Sequence, residues 1–264
     1  MLPDEIPLSQ GVAERLSSYI EGGGALLASH RSGLDPDGVD FALKELGVKL
    51  VGEAPYSPDF LVPGAVGAGL PTTEHVMYRR GLQVETGRGT EVLSQIAVPY
   101  FNRTYEHFCS HNHTPSSGET GYPGITQKGR CIYFSHPVFT QYAERAPRWC
   151  KTFVLDALER LLPEPLVHLR APSTALAVLS EQVAENRQVL HLLHYIPERR
   201  GQFDVIEDII PLHDVGVSVR VHGEVRAVTC VPEGDPLEFT LAGERVEFVL
   251  PRLEGHQMVC LDLA

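Results

Sequence analysis

The chain has 264 residues, 43% of them hydrophobic, and a net charge of −12 from 22 basic and 34 acidic side chains. That length supports a substantial core and two domains, since single domains cluster at about 100–150 residues. An acidic chain without a basic run is a poor nucleic-acid binder, because phosphate neutralisation dominates that affinity; no apolar run approaches the roughly 18 residues that span a membrane.

The opening MLPDEIPLSQ lacks the charged and apolar regions of a signal peptide. Five cysteines, at 109, 131, 150, 230 and 260, are scattered and odd in number. That pattern points to reduced thiols in a cytoplasmic protein and away from a disulfide framework. Ser9 suits a helix N-cap, with Val12, Leu16, Tyr19 and Ile20 following at helical spacing. Gly22, Gly23 and Gly24 stop that helix. Ala25–Ser29 is a short apolar run, which suits a buried parallel strand. Asp35 or Asp37 is placed to cap a second helix carrying Val39, Ala42, Leu43 and Leu46, with Gly47 at its end and Val48–Val51 as the next strand. Strand, helix, strand at this spacing indicates an α/β layer with a parallel sheet. Residues 52–88 are rich in Gly and Pro and give no clear element. Leu93–Val98 and Arg130–Ser135 read as strands. A long helix is predicted over 147–162, with Pro147 at its first position and Trp149, Phe153, Ala157, Leu158 and Leu161 on its inner stripe.

Beyond three prolines at 163–172 the pattern changes to short strands. These are Ala175–Ser180, Val189–Tyr195, Val215–Val221, Val225–Val231, Leu237–Leu241, Arg245–Leu250 and Gln257–Leu263. Turn signals at His222-Gly223, Gly234-Asp235 and Ala242-Gly243 separate several of them. Seven short strands in about 100 residues indicate a small antiparallel β-sandwich.

Two sets of residues carry a family resemblance. LPDEIPLSQGVAERLSSYIEGGGALLASHRSGL resembles the amidotransferase-like "trimerisation" domain of family 42 β-galactosidases. PYFNRTYEHFCSHNHTP, EQVAENRQVLHLLHYIPERR, IEDIIPLHDV, PEGDPLEF and LPRLEGHQMVCLDL resemble a related group of bacterial glycoside hydrolases. The resemblance covers essentially the whole chain. It implies a doubly wound, flavodoxin-like amidotransferase domain over 1–166 and a β-sandwich domain over 167–264, both following a (β/α)8 barrel. Here the barrel is missing, and with it the acid and nucleophile carboxylates. The front strand of the amidotransferase-like domain is missing too, since LPD at 2–4 reads as the loop just after a strand. The expectation is the tail of a longer protein, exposing an apolar edge near Ala25–Ser29 that self-association into a dimer or trimer would cover.

The resemblance implies a non-catalytic accessory and oligomerisation region that shapes a glycosidase active site. Amidotransferase chemistry needs a cysteine on a Gly-x-Cys-x-Gly elbow with a base beside it, and no cysteine here has that setting. Ser32, after the first strand, is a conceivable replacement nucleophile, and a polar cap before the next helix is the plainer account of it. Glycoside hydrolysis needs two carboxyls about 5–10 Å apart. Glu207 and Asp208 are neighbours, so on a strand they face opposite ways.

The stretch 99–115 is the richest in chemistry. If it is extended, His107, Cys109, His111 and His113 share one face. Zinc is conceivable there, but alternate residues of one strand lie about 7 Å apart and rarely converge on one ion. Neither metal nor cofactor is expected. His191 and His194 read as packing or surface residues. Asn102, Arg103 and Glu106, planar polar groups among aromatics, suit a hydroxyl-rich ligand or an interface. By resemblance the stretch would face a glycosidase barrel. The alternative is a free-standing carbohydrate- or metal-binding protein that uses the same residues.

Overall fold

A computed structural model describes all 264 residues, as two compact units, Met1–Pro163 and Glu164–Ala264. Strands hold 44% of the residues and helices 15%, so the molecule is β-rich. No helix is long and apolar enough to cross a membrane.

The first unit holds α1 (Gln10–Glu21), β1 (Leu26–Ser29), β2 (Val48–Glu53), β3 (Asp59–Leu61), β4 (His75–Met77), β5 (Leu82–Thr86), β6 (Glu91–Pro99), β7 (Ser116–Lys128), β8 (Cys131–Phe134), α2 (Val138–Arg145) and α3 (Arg148–Leu161). Its main sheet runs β1-β8-β7-β6-β3-β4. Only β1 and β8 are parallel, with Leu26 opposite Cys131 and Ser29 opposite Phe134. Their continuous apolar runs have a physical reason, because both faces are covered. Leu27, Ile132 and Phe134 pack with Phe153, Ala157 and Leu161 of α3. Leu26, Ala28, Cys131 and Tyr133 pack with Ala13 of α1 and with Leu43, Leu46, Leu82 and Val84. Each Leu, Ile, Val or Phe among them, fully buried, contributes about 1.5–3 kcal/mol.

Several expectations are corrected here. The doubly wound parallel sheet is confined to that one pair; β3, β4, β6 and β7 form an antiparallel meander. The expected second helix is a turn followed by a single 3-10 turn at Lys44–Leu46. Asp35 accepts the Val39 and Asp40 amides, and Asp40 accepts those of Phe41 and Leu50. Short acidic side chains thus satisfy the amides a helix would have used. The strand after it, β2, pairs antiparallel with β5 in a separate two-stranded sheet. Leu26–Ser29 is wholly buried, so no apolar edge is exposed there. Leu2 forms a parallel bridge to Ala28. On α1, Val12 and Tyr19 are exposed and do not belong to an inner stripe. The Tyr19 ring lies over Gly24, where a Cβ would come within 2.4 Å of it.

The second unit holds β9 (Val167–Arg170), β10 (Ala175–Gln182), β11 (Arg187–His194), β12 (Glu198–Arg200), β13 (Phe203–Val205), β14 (Leu212–Arg220), β15 (Val225–Val231), β16 (Phe239–Ala242), β17 (Arg245–Leu253) and β18 (Gly255–Leu263). Two antiparallel sheets, β10-β11-β18-β15 and β16-β17-β14-β9, contribute alternate residues to one core. Val215, Val217, Val219, Val246, Phe248 and Leu250 come from one sheet; Leu190, Leu192, Val228, Val259 and Leu261 come from the other. This is the sandwich that the alternation predicts. The small β12–β13 ribbon has no counterpart in the sequence reading.

Candidate functional site

Residues 100–115 form the tip of the β6–β7 hairpin, closed where Pro99 pairs with Ser116 and the Tyr100 amide reaches the Pro115 carbonyl at 3.2 Å. The tip is not a strand, so the four-residue face of His107, Cys109, His111 and His113 does not form. Arg103 Nη1 donates to the carbonyls of His111 and Asn112 at 2.8 and 3.0 Å, curling the chain on itself. The Cys109 thiol points at the carbonyls of His111 and His113, 3.8 and 3.5 Å away. His107 stacks on Phe101 with ring centroids 3.7 Å apart. His113 turns inward between Phe60 and Tyr78, and its Nδ1 is buried without a partner.

Asn102 fastens the tip to the segment ahead of β3. Its Oδ1 accepts the Ser57 amide at 3.1 Å and its Nδ2 donates to the Pro55 carbonyl at 2.6 Å. Five of the seven candidate residues, Asn102, Arg103, His107, Cys109 and His113, therefore shape the tip. Glu106 and His111 are exposed beside three aromatics that leave the surface: Tyr105 is 95% exposed, Tyr100 69% and Phe108 66%. No three His, Cys, Asp or Glu side chains come together in a way that could hold a metal ion.

Behind Phe60 lies a buried polar centre that sequence reasoning missed. His136 Nε2 is 2.7 Å from Asp59 Oδ1, the Tyr122 hydroxyl donates to Asp59 Oδ2, and His136 Nδ1 is 3.1 Å from Ser135 Oγ. Gly81 lies against the imidazole, leaving no room for a Cβ. Burial first, and the Asp59 carboxylate second, push the Tyr122 phenol well above its usual range. The order Ser, His, Asp resembles a nucleophile relay, but Ser135 is fully buried and His136 is 1% exposed. A nucleophile must touch its substrate, so this centre is scaffold. Its members come from β3, β7 and the turn after β8, and no short-range spacing announces them.

A second polar knot sits at the carboxyl end of the parallel pair. His30 adopts φ 50, donates its amide to the Phe134 carbonyl at 2.7 Å and accepts the Tyr133 hydroxyl at 2.7 Å. Its Nδ1 faces Glu5 Oε1 at 3.0 Å, while Nε2 is buried and unpaired. Burial, opposed by Glu5, lowers the pKa of this imidazole. Ser32 Oγ accepts the Ile6 amide at 3.0 Å and is fully buried, so it acts as the polar cap. Asp4 accepts Ser29 Oγ at 2.6 Å and the Thr140 amide at 2.6 Å.

The other candidates have plain roles. Burial pushes the Cys131 thiol up to about 11 and Cys150 up to about 12, so neither offers a thiolate at neutral pH. Glu207 pairs with Arg200 at 2.7 Å on the surface. His194 bonds the Ile210 carbonyl and Thr174 Oγ1. His191 meets His256.

No protein-family model and no curated protein matches the chain. Among solved structures, it superposes over its full length on alpha-L-fucosidase isoenzyme 2 from Paenibacillus thiaminolyticus, with TM-score 0.93 and 36% identity. It spans 40% of that chain, so it is similar to a part of a glycoside hydrolase. A cycloisomaltooligosaccharide glucanotransferase from Paenibacillus sp. aligns over 95% of this chain and 49% of its own at TM-score 0.29 and 12% identity, too low to carry an argument.

Proposed function

We propose that this chain is a non-catalytic module of an α-L-fucosidase-type glycoside hydrolase. It packs beside an active site carried on a (β/α)8 barrel and presents the 100–115 tip to it. The observation that carries this reading is the full-length superposition at 36% identity on 40% of an α-L-fucosidase. Within the chain, the reading is supported by a tip braced at Asn102 and His113 that holds Tyr105 and Phe108 outward. Exposed aromatic faces on a braced loop suit sugar rings and protein interfaces. The Ser135–His136–Asp59 centre is sealed, and burial keeps the Cys131 and Cys150 thiols protonated.

A chimera tests this. The matching segment of the Paenibacillus thiaminolyticus α-L-fucosidase is replaced by this chain, and hydrolysis of aryl α-L-fucoside and aryl β-D-galactoside is compared. The chain alone should hydrolyse neither. The chimera should hydrolyse the fucoside, and less of it after Tyr105→Ala with Phe108→Ala. Preference for the galactoside would return the module to the β-galactosidase side of the resemblance. Turnover by the chain alone would overturn the reading.

Self-association into a dimer or trimer belongs to the same proposal. Phe203, Ile206, Ile209 and Ile210 of the second unit are each about half exposed or more, and sedimentation equilibrium decides it. A second reading, carbohydrate binding by the free chain, rests on Tyr100, Tyr105 and Phe108. Saturation transfer from those rings to L-fucose without a barrel would favour it.

A further inference from the structure

Two imidazoles meet on the outer face of the β10-β11-β18-β15 sheet. His191 Nδ1 lies 3.2 Å from His256 Nε2, and the ring planes are parallel within 4°, with centroids 5.4 Å apart. The register explains the encounter. Leu193 of β11 stands opposite His256 of β18, and His191 stands opposite Met258. The histidines are thus diagonal neighbours, within reach of long side chains. Leu190, Leu192, Val259 and Leu261 of the same strands enter the core. Alternation therefore puts His191, His256 and Met258 together on the other face.

We propose that this pair is a binding site for a borderline divalent transition-metal ion, with copper, nickel and zinc as the class. Without metal, one ring donates N–H to the lone pair of the other. With metal, both lone pairs turn to the ion. Zinc–imidazole bonds are about 2.0–2.1 Å long, so nitrogens this far apart subtend about 100° at one ion, between a square and a tetrahedral angle. The rings turn about their side-chain bonds to do so, while the backbone stays in place: β11 and β18 are the two central strands of their sheet, paired over eight residues from Arg187–Asp262 to His194–Gly255. A rigid ladder of this kind holds ligands in register.

The surroundings set the ligand count. Met258, opposite His191, brings a thioether to the same face, a group that copper sites use as a weak, distant ligand. Cys260, the next outward residue of β18, is 6% exposed and its thiol points at Asp262 Oδ1, 3.4 Å away. Two imidazoles and a thioether leave positions for water or for a group from another molecule. Of the hairpin histidines, His107 is stacked on Phe101, His113 faces inward, and the exposed His111 is a single imidazole.

The test is calorimetric titration of the whole chelator-stripped chain with copper(II), nickel(II) and zinc chlorides, one at a time. One ion should bind per chain, copper most tightly, in the order that divalent ions follow on nitrogen ligands. Losing a second-shell partner alone costs about 10–100-fold in affinity, so His191→Gln and His256→Gln should each weaken binding at least tenfold. The ion should raise the Tm of the parent chain and leave the double variant unmoved. Both residues are at the surface, and circular dichroism confirms that the variants fold. His107→Gln with His111→Gln should bind as the parent does. Absence of binding by the parent overturns the proposal, and so does unchanged affinity in the double variant or loss of the ion in the hairpin variant.

Discussion

Asp59 and His136 stand 77 residues apart in the chain and 2.7 Å apart in space, with 1% of each side chain exposed. Asp59 also receives the Tyr122 hydroxyl, so one carboxylate satisfies two buried groups. Breaking a buried pair by removing one partner costs about 3–5 kcal/mol, because the other is left uncompensated. Asp59→Ala should lower the unfolding free energy of the first unit by that order, and Asp59→Asn by less, in urea titrations. A loss under about 1 kcal/mol would mean that the network adds no stability.

Asn102 links the hairpin tip to Pro55 and Ser57 through two exposed hydrogen bonds. Each contributes about 0.5–1.5 kcal/mol. Asn102→Ala should cost about 1–2 kcal/mol locally, seen as faster hydrogen exchange at Ser57 and across 100–115. Exchange in β1 and β8 should not change.

Tyr105→Ala and Phe108→Ala remove exposed rings. The stability change should stay within about 0.5 kcal/mol by thermal melting. The same pair is expected to lower turnover in the fucosidase chimera. A large loss of stability would give these rings a packing role that their exposure argues against.

His30 is neutral in the folded state because burial lowers its pKa below the ordinary 6.5. Below pH 6.5 the unfolded chain binds a proton that the folded chain resists, so stability should fall as pH drops through 6.5 towards the lowered value. The contribution is complete above 6.5. His30→Asn, which tolerates the left-handed φ, should flatten this part of the curve. An unchanged slope would remove His30 as the source.

Gly64 tolerates no side chain: a Cβ would lie 2.3 Å from the Leu93 carbonyl oxygen, a backbone atom with little freedom to move. Gly64→Ala should destabilise by about 1–3 kcal/mol, as overpacking does, and Gly69→Ala at an open left-handed position by less. Thermal melts of the two variants compare them directly.

The second unit was the more legible in sequence, because Val215–Val219 and Val246–Leu250 alternate cleanly and turn residues separate them. Its seven expected strands are all present, with ends moved by up to three residues. In the first unit α3 and β1 were legible from apolar spacing. The helix expected after Asp35 was not there, because Asp35 and Asp40 took amides that periodicity cannot see. β3 and β4 lay hidden in Gly- and Pro-rich sequence, and Asp59 with them. At the hairpin, composition drew attention to 100–115, but alternation misassigned the directions of its side chains. Arg103 curls the tip through main-chain carbonyls, which no residue pattern encodes.

The parallel pairing of Leu26 with Cys131 bears on how the first unit comes to be made. Every partner of β1 in the main sheet lies in a strand synthesised long after it, and closing so large a loop delays the gain from pairing. During synthesis β1 has only its bridge to Leu2 until Phe134 has left the ribosome. The first unit should therefore mature slowly, with an interval in which the β8-facing edge of that strand is open to aggregation. The second unit should lack this interval at β10 and β11, which are neighbours in both sequence and sheet.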